Sequence, residues 1–155
     1  MTEPVSRATV EAFYRAYSTR DLARTADYLA DDVAWSISGP VDVLSFCGVH
    51  QGKAAVIDMM ARVVPQVFDI IKFEPSTMLL DGDRVATLNR LTARHHDDGR
   101  MISYRLAHFM RFHDGKVAEN ISLLDSFDAV EQVLGHALAI EPHERECADG
   151  DLVAV

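Results

Sequence analysis

Three polar side chains stand out because of the company they keep. Asn89, His108 and Asn120 each occupy an alternate position in runs whose other alternates include Val85, Leu91, Ile102, Leu106, Met110, Phe112 and Leu124. Period-two alternation places such residues on one face of a sheet, so the three polar groups point into an otherwise apolar wall. A neutral imidazole carries one donor and one acceptor, and a carboxamide offers both. Two readings follow. His108 is either a core histidine satisfied by its neighbours, or a donor or general acid/base turned into a ligand cavity, since imidazole titrates near neutral pH.

Turns set the register. A two-residue Asp98-Gly99 loop pairs His108 with Asn89 and Leu106 with Leu91; a three-residue loop at His113-Asp114-Gly115, with Gly115 left-handed, sets His108 opposite Asn120. On this register Thr87, Tyr104 and Ser122 share the inner face. Arg90, Thr92, Arg94, Ser103, Arg105 and Arg111 make the outer face polar.

Other reactive side chains carry less. His95-His96-Asp97-Asp98 has the composition of a metal cluster, but neighbouring strand residues point to opposite faces, so the run reads as a solvated hairpin end and no metal is expected. Cys47 has no paired base in view and reads as a buried thiol. His50, His113, His136 and His143 read as surface or turn residues, and Asp125 as a helix cap. Gly39, Gly48 and Gly52 lack the spacing of a phosphate loop, and neither a serine nucleophile elbow nor HExxH occurs, so no cofactor is implied.

The elements that hold these residues are readable in order. Thr2 caps a first helix with Pro4 in its opening turn; Val10, Phe13, Tyr14 and Tyr17 form its apolar stripe, and it ends near Ser18. A short helix over about Asp21–Leu29 follows, then a strand over 33–38 with Val33, Trp35 and Ile37 on one face. Gly39-Pro40 opens a loop that runs to Gly52. A third helix runs from Lys53 to Pro65 with Val56, Met59, Met60 and Val63 at helical spacing. From Ile70 to Phe127 the pattern is strand, broken at Asp81-Gly82-Asp83, Asp97-Asp98-Gly99 and Asp114-Gly115, which predicts a four-stranded antiparallel meander. A last helix spans about Ser126–Leu134 with Gly135 at its C′ position.

Helices followed by a run of strands predict an α+β fold: a cone-shaped, curved, mostly antiparallel sheet with three N-terminal helices packed on it and a pocket at the open end. The 155 residues fit one domain, over 1–137, with an acidic tail over 138–155. A formal charge of −9 argues against nucleic acid as a partner. No apolar run reaches the ~18 residues of a membrane span. Residues 1–15 lack the apolar core of a signal peptide, and two cysteines far apart in no metal-like spacing argue against a disulfide framework. A cytoplasmic protein is the expectation.

Phe13-Tyr14-Arg15-Ala16-Tyr17, Asp21-Leu22, Tyr28-Leu29-Ala30-Asp31-Asp32-Val33, Gly48-Val49-His50-Gln51-Gly52-Lys53-Ala54-Ala55-Val56 and His108-Phe109-Met110-Arg111-Phe112-His113-Asp114-Gly115-Lys116-Val117 resemble the SnoaL-like, nuclear transport factor 2-like superfamily over about residues 5–135. The resemblance implies the cone fold. Activity within that superfamily ranges over isomerases, cyclases, hydrolases, dehydratases and proteins that only bind. At the positions matching the steroid isomerases, the oxyanion-donor tyrosine is Phe13, the aspartate base is Ile37 and the supporting tyrosine is Met60; only the second oxyanion acid has a polar replacement, His108. Against the polyketide cyclases His108 matches a strand histidine, while the further histidine and the aspartate are Asn120 and Ser122. Epoxide-hydrolase chemistry needs an Asp-Arg-Asp set, and Arg90 and Arg105 face outward.

The resulting expectation is an isomerase-, cyclase- or lyase-type enzyme for a small hydrophobic carbonyl or polyketide-like compound. His108 is its catalytic group, as proton shuttle or oxyanion donor. Asn89 and Asn120 orient it, Phe13, Tyr17, Trp35 and Met60 form the walls, and Tyr104 and Ser122 complete the lining. The alternatives are a non-catalytic carrier of a small lipophilic ligand and an interaction module. Dimerisation through the outer sheet face is what the resemblance implies.

Overall fold

Helix α1 starts at Ser6 and not at Thr2. Ser6 is extended (φ −75°, ψ 146°) and its hydroxyl accepts from the Thr9 N–H at 3.0 Å, capping α1 over Arg7–Ser18. Upstream, the Val5 N–H is spent on the Gly82 carbonyl at 3.0 Å, which ties the segment to a sheet turn and leaves Pro4 outside the helix. The computed structural model describes residues 3–139, so Thr2 and residues 140–155 of the acidic tail lie outside the described residues.

Asp21 caps α2 (Leu22–Asp27) by accepting from the Arg24 N–H at 3.1 Å. The next element, β1, spans Leu29–Ser38 and starts earlier than the alternation at 33–38 indicates, because a bulge between Leu29 and Ala34 breaks the period. The stretch expected as loop to Gly52 contains a short strand, β2 (Gly48–Gln51), antiparallel to β1. Four residues with Gly at one end leave too short an alternation to read. Helix α3 (Lys53–Asp58) runs through a π-turn at Met59–Val63 into a short α4 (Val64–Val67). Pro65 therefore does not end the helix as expected. It sits in the first turn of α4, where a missing N–H costs least.

The meander is present as expected: β3 (Phe68–Asp81), β4 (Arg84–His95), β5 (Met101–His113) and β6 (Lys116–Leu124) pair antiparallel in sequence. With β1 parallel to β6, the six-stranded sheet has the order β2-β1-β6-β5-β4-β3. The architecture is α+β, a curved and mostly antiparallel sheet with helices packed on it. Of the three helices expected at the N-terminus, the third follows β2 in the chain.

Both hairpin registers differ from expectation by two residues. Between β4 and β5 the loop is not a two-residue Asp98-Gly99 turn. Such a turn needs two left-handed residues, and only Gly99 (φ 71°) is left-handed. Asp98 instead accepts from the Arg100 N–H and lies 2.9 Å from His95 Nδ1, stabilising a four-residue connection. Between β5 and β6 the reverse holds. Asp114 and Gly115 are both left-handed (φ 49° and 72°) in a two-residue turn, and a bulge at Arg111/Phe112 then shifts the register. His108 consequently faces Thr87 and Ser122, while Asn89 faces Leu106 and Asn120 faces Met110. A shift of two keeps every residue on its face, and the inner set is buried as expected.

The outer face is less polar than expected. Leu79, Leu88, Phe109, Ile121 and Leu123 are exposed on it, and cross-strand pairs Leu79–Ala86–Phe109–Ile121 and Leu88–Ala107–Leu123 join them into two rows. The arginine positions alternate with these rows, so a reading of the charged residues alone missed them.

Helix α5 (Ser126–Leu134) ends at Gly135, left-handed at φ 78°, as expected. Asp125 stands at the cap position, but its side chain makes no capping bond. The C-terminal carbonyls of Gln132 and Val133 accept from Arg100 Nη1 and Nη2 at 2.8 and 2.9 Å. A Cβ on Gly135 would lie 2.5 Å from Arg100 Nη1. Gly135→Ala should therefore lower the unfolding free energy by about 1–2 kcal/mol, from left-handed strain plus displacement of Arg100, as read by urea titration.

Candidate functional site

Strands β4, β5 and β6 present Thr87, Asn89, His108, Asn120 and Ser122 on the inner face, each no more than 3% exposed. Aromatic rings enclose the imidazole. Tyr14 and Phe73 stack beside it with centroids 6.0 and 5.7 Å away, and Tyr17 and Trp35 meet it edge-on at 5.8 and 6.0 Å.

Helix α1 supplies the hydrogen-bond partner. The Tyr14 hydroxyl lies 2.9 Å from His108 Nδ1 and 2.6 Å from Thr87 Oγ1, and Asn89 Nδ2 donates to Thr87 Oγ1 at 2.9 Å. One direction leaves the fewest groups unpaired: Asn89 Nδ2 donates to Thr87, the Thr87 hydrogen goes to Tyr14, and the Tyr14 hydrogen goes to His108 Nδ1, whereas the reverse direction strands the Thr87 hydrogen as well as Nε2. An imidazole that accepts at Nδ1 carries its proton on Nε2. That Nε2 is buried without a partner, as are Asn89 Oδ1 and Asn120 Oδ1; Asn120 Nδ2 is spent on Ser122 Oγ at 2.8 Å.

Burial also fixes the charge of the ring. Burial alone pushes the His108 imidazole from 6.5 down to about 3, so the ring is neutral through the physiological range. Burial likewise pushes Tyr17 up to about 12 and raises Tyr14 and Tyr104 further, keeping all three hydroxyls protonated.

Beside His108 lies an internal cavity of about 40 Å³, room for water and not yet for a substrate. Tyr17, Met60, Tyr104, His108 and Ser122 line it among the residues expected, together with Ile37. Tyr14 does not line it and occupies Nδ1, so the ring edge left for the cavity is the one bearing Nε2. Phe13, Trp35, Asn89 and Asn120 stand behind the wall. Phe13 packs on Tyr14, Tyr17 and Phe112, and Trp35 stacks on Tyr17. Tyr14 and Thr87 were in plain view as buried-face residues, but only the tertiary contact reveals their partnership. Arg20 also lines the cavity and was missed. Met59 and Met60 also line it, and unbranched thioethers repack more readily than its other apolar side chains.

The remaining candidates stay structural. Burial pushes the Cys47 thiol up to about 11, which makes it a poor nucleophile. His50 Nε2 meets the Phe46 carbonyl at 2.9 Å. Among the described residues no group of three His, Cys, Asp or Glu side chains is placed to hold a metal, and no helix is long and apolar enough to cross a membrane.

The SnoaL-like domain model matches residues 10–120. The chain belongs to the SnoaL-like family. A candidate isomerase from Rhodopseudomonas palustris is 33% identical over 82% of this chain and 93% of its own, with a TM-score of 0.71. A nuclear transport factor 2-like protein of unknown function from Burkholderia pseudomallei is 25% identical over 76% and 88%, with a TM-score of 0.69. A ketosteroid isomerase-like fold from Catenulispora acidiphila, in complex with trimethylamine, covers 89% and 100% at 12% identity and a TM-score of 0.69, a likeness of fold alone. No curated protein matches.

For this SnoaL-like chain the neutral histidine has a thermodynamic signature. The unfolded chain binds a proton at His108 below about pH 6.5, and the folded one does not until about pH 3. Its folded value is depressed, so the associated stability is complete above pH 6.5 and is lost as pH falls through that window. Between about pH 7 and pH 5, wild type should lose about 2 kcal/mol more unfolding free energy than His108→Gln, measured by urea titration of both proteins at each pH.

Proposed function

We propose that the protein is an isomerase-, cyclase- or lyase-type enzyme for a small hydrophobic carbonyl or polyketide-like compound, with His108 as a neutral hydrogen-bond donor. The unpaired Nε2–H carries this reading. A buried donor without a partner costs about 1–3 kcal/mol, and an oxygen gaining negative charge in the cavity repays it more fully than a neutral oxygen does. Stronger binding of the transition state than of the ground state is what accelerates a reaction. Tyr17, protonated and lining the same cavity, is a second neutral donor. Asn89 acts through Thr87 and Tyr14 as a positioning residue, and Asn120 sets Ser122. An imidazole protonated only near pH 3 is a poor shuttle at neutral pH, which favours the donor role over acid/base exchange. The relative carrying an isomerase designation, at 33% identity, supports a bond-rearranging activity.

Native mass spectrometry of protein from its own host, followed by extraction, identifies the compound bound. A carbonyl compound is expected, and its turnover should fall about 100-fold in His108→Phe. Full turnover in that variant removes the donor role.

We infer that the protein is a homodimer in which the exposed rows built on Phe109 and Leu88 of the outer face pair with those of a second copy. Their extent across four strands exceeds scattered surface apolar residues. Light scattering should give twice the 17.2 kDa chain mass for wild type and the chain mass itself for Phe109→Asp. A wild-type monomer overturns the pairing.

A further inference from the structure

We propose that the ligand of this cavity carries an anionic group, a carboxylate or its equivalent, that pairs with Arg20. The inference rests on the reading of the cavity as a ligand site. Arg20 is the one charged residue among those lining it; the others are apolar or neutral. It is half-buried whereas His108 is 1% exposed, so Arg20 stands towards solvent and His108 at the depth of the cavity. No carboxylate among the described residues forms an ion pair with it.

The guanidinium is also fixed in place, for a reason the chain itself supplies. In the π-turn the Val64 N–H reaches back to the Met59 carbonyl. The Met60 carbonyl then needs the N–H of residue 65, which is a proline and has none. Arg20 Nη2 fills that vacancy with a 2.7 Å bond across to Met60 O. Arg20 itself is left-handed at φ 58°, a conformation held against the preference of a side-chain-bearing residue. Strain and a π-turn both cluster at functional sites, and here they meet on one side chain. One N–H of the five is used, and the rest of the fork remains for a planar anion.

Selectivity from this source is local. The whole chain carries −9 and repels anions at long range, so an acid that binds does so through a specific contact. The ligand class is thus a small apolar acid whose second oxygen, a carbonyl or hydroxyl, reaches His108. Met59 and Met60 must repack to admit it, given the size of the cavity.

The test uses benzoate and its neutral near-isostere benzamide, titrated at constant ionic strength and followed by proton–nitrogen correlation spectra. Benzoate should bind wild type about tenfold more tightly, the scale of one charge-assisted hydrogen bond. Arg20→Gln should abolish the preference and bring the two probes to equal affinity, whereas Arg20→Lys should keep most of it. Because Arg20 also completes the helix, the double variant R20Q/P65A returns an N–H to Met60 O and separates folding from binding; it should show the same loss of preference. Equal binding of both probes to wild type overturns the role of Arg20 and leaves the cavity reading standing. Binding of neither overturns both.

Discussion

A histidine inside an apolar wall has to be neutral, and something has to choose which nitrogen keeps the proton. In this fold that choice is made between elements distant in the chain. Tyr14 comes from α1, Thr87 and Asn89 from β4 and His108 from β5, and contacts of 2.6–2.9 Å join them. The seat of α1 on the sheet is therefore set by polar geometry as well as by packing. Moving the helix by an ångström breaks two buried hydrogen bonds, each of which costs more when lost than it contributes when made. Phe13 and Tyr17, one on each side of Tyr14 along the buried stripe, are placed by the same constraint: Phe13 goes into the core and Tyr17 beside the cavity.

Much of this was legible in the sequence, because a sheet reads its side chains with a period of two. Val85 to His95 and Ile102 to Phe112 alternate without interruption, so the inner face of β4 and β5 follows from pattern alone. The registers were each displaced by two residues, since turn type depends on which residues go left-handed. Asp98 does not, Asp114 does, and one-letter chemistry does not distinguish them. An even displacement leaves the faces intact and changes the neighbours. His108 was therefore found in the correct wall with the wrong partners: Thr87 and Ser122 face it in place of the two asparagines.

The features that were not legible have in common that they rest on a broken period or a distant contact. The bulge in β1 hides Leu29 from an alternation that begins at Val33. The π-turn hides behind the usual signal of a proline. Pro65 reads as a helix end, yet the helix runs on through the wider turn, with Arg20 Nη2 bonding the Met60 carbonyl that the proline leaves without an N–H. Tyr14 and Arg20 each complete a group more than thirty residues away, and nothing in their local spacing says so.

The loss of a base and the state of the histidine are two sides of one fact. Ile37 and Met60 stand at the positions where the resemblance to steroid isomerases places an aspartate and a tyrosine, and both line the cavity. A carboxylate there would favour the imidazolium and hold the imidazole near its ordinary value. With apolar groups in its stead, burial acts alone and the proton-accepting nitrogen is committed to Tyr14. On the proposed reading, the apolar residues that leave the cavity without a proton acceptor also take the histidine out of acid/base exchange and leave it as a donor. A neutral donor polarises a carbonyl without supplying a charge that must itself be desolvated, as an imidazolium would require. A reaction of the proposed kind would then take its proton acceptor from the substrate or from water, which favours compounds whose reacting carbon–hydrogen or carbon–carbon bond is already activated.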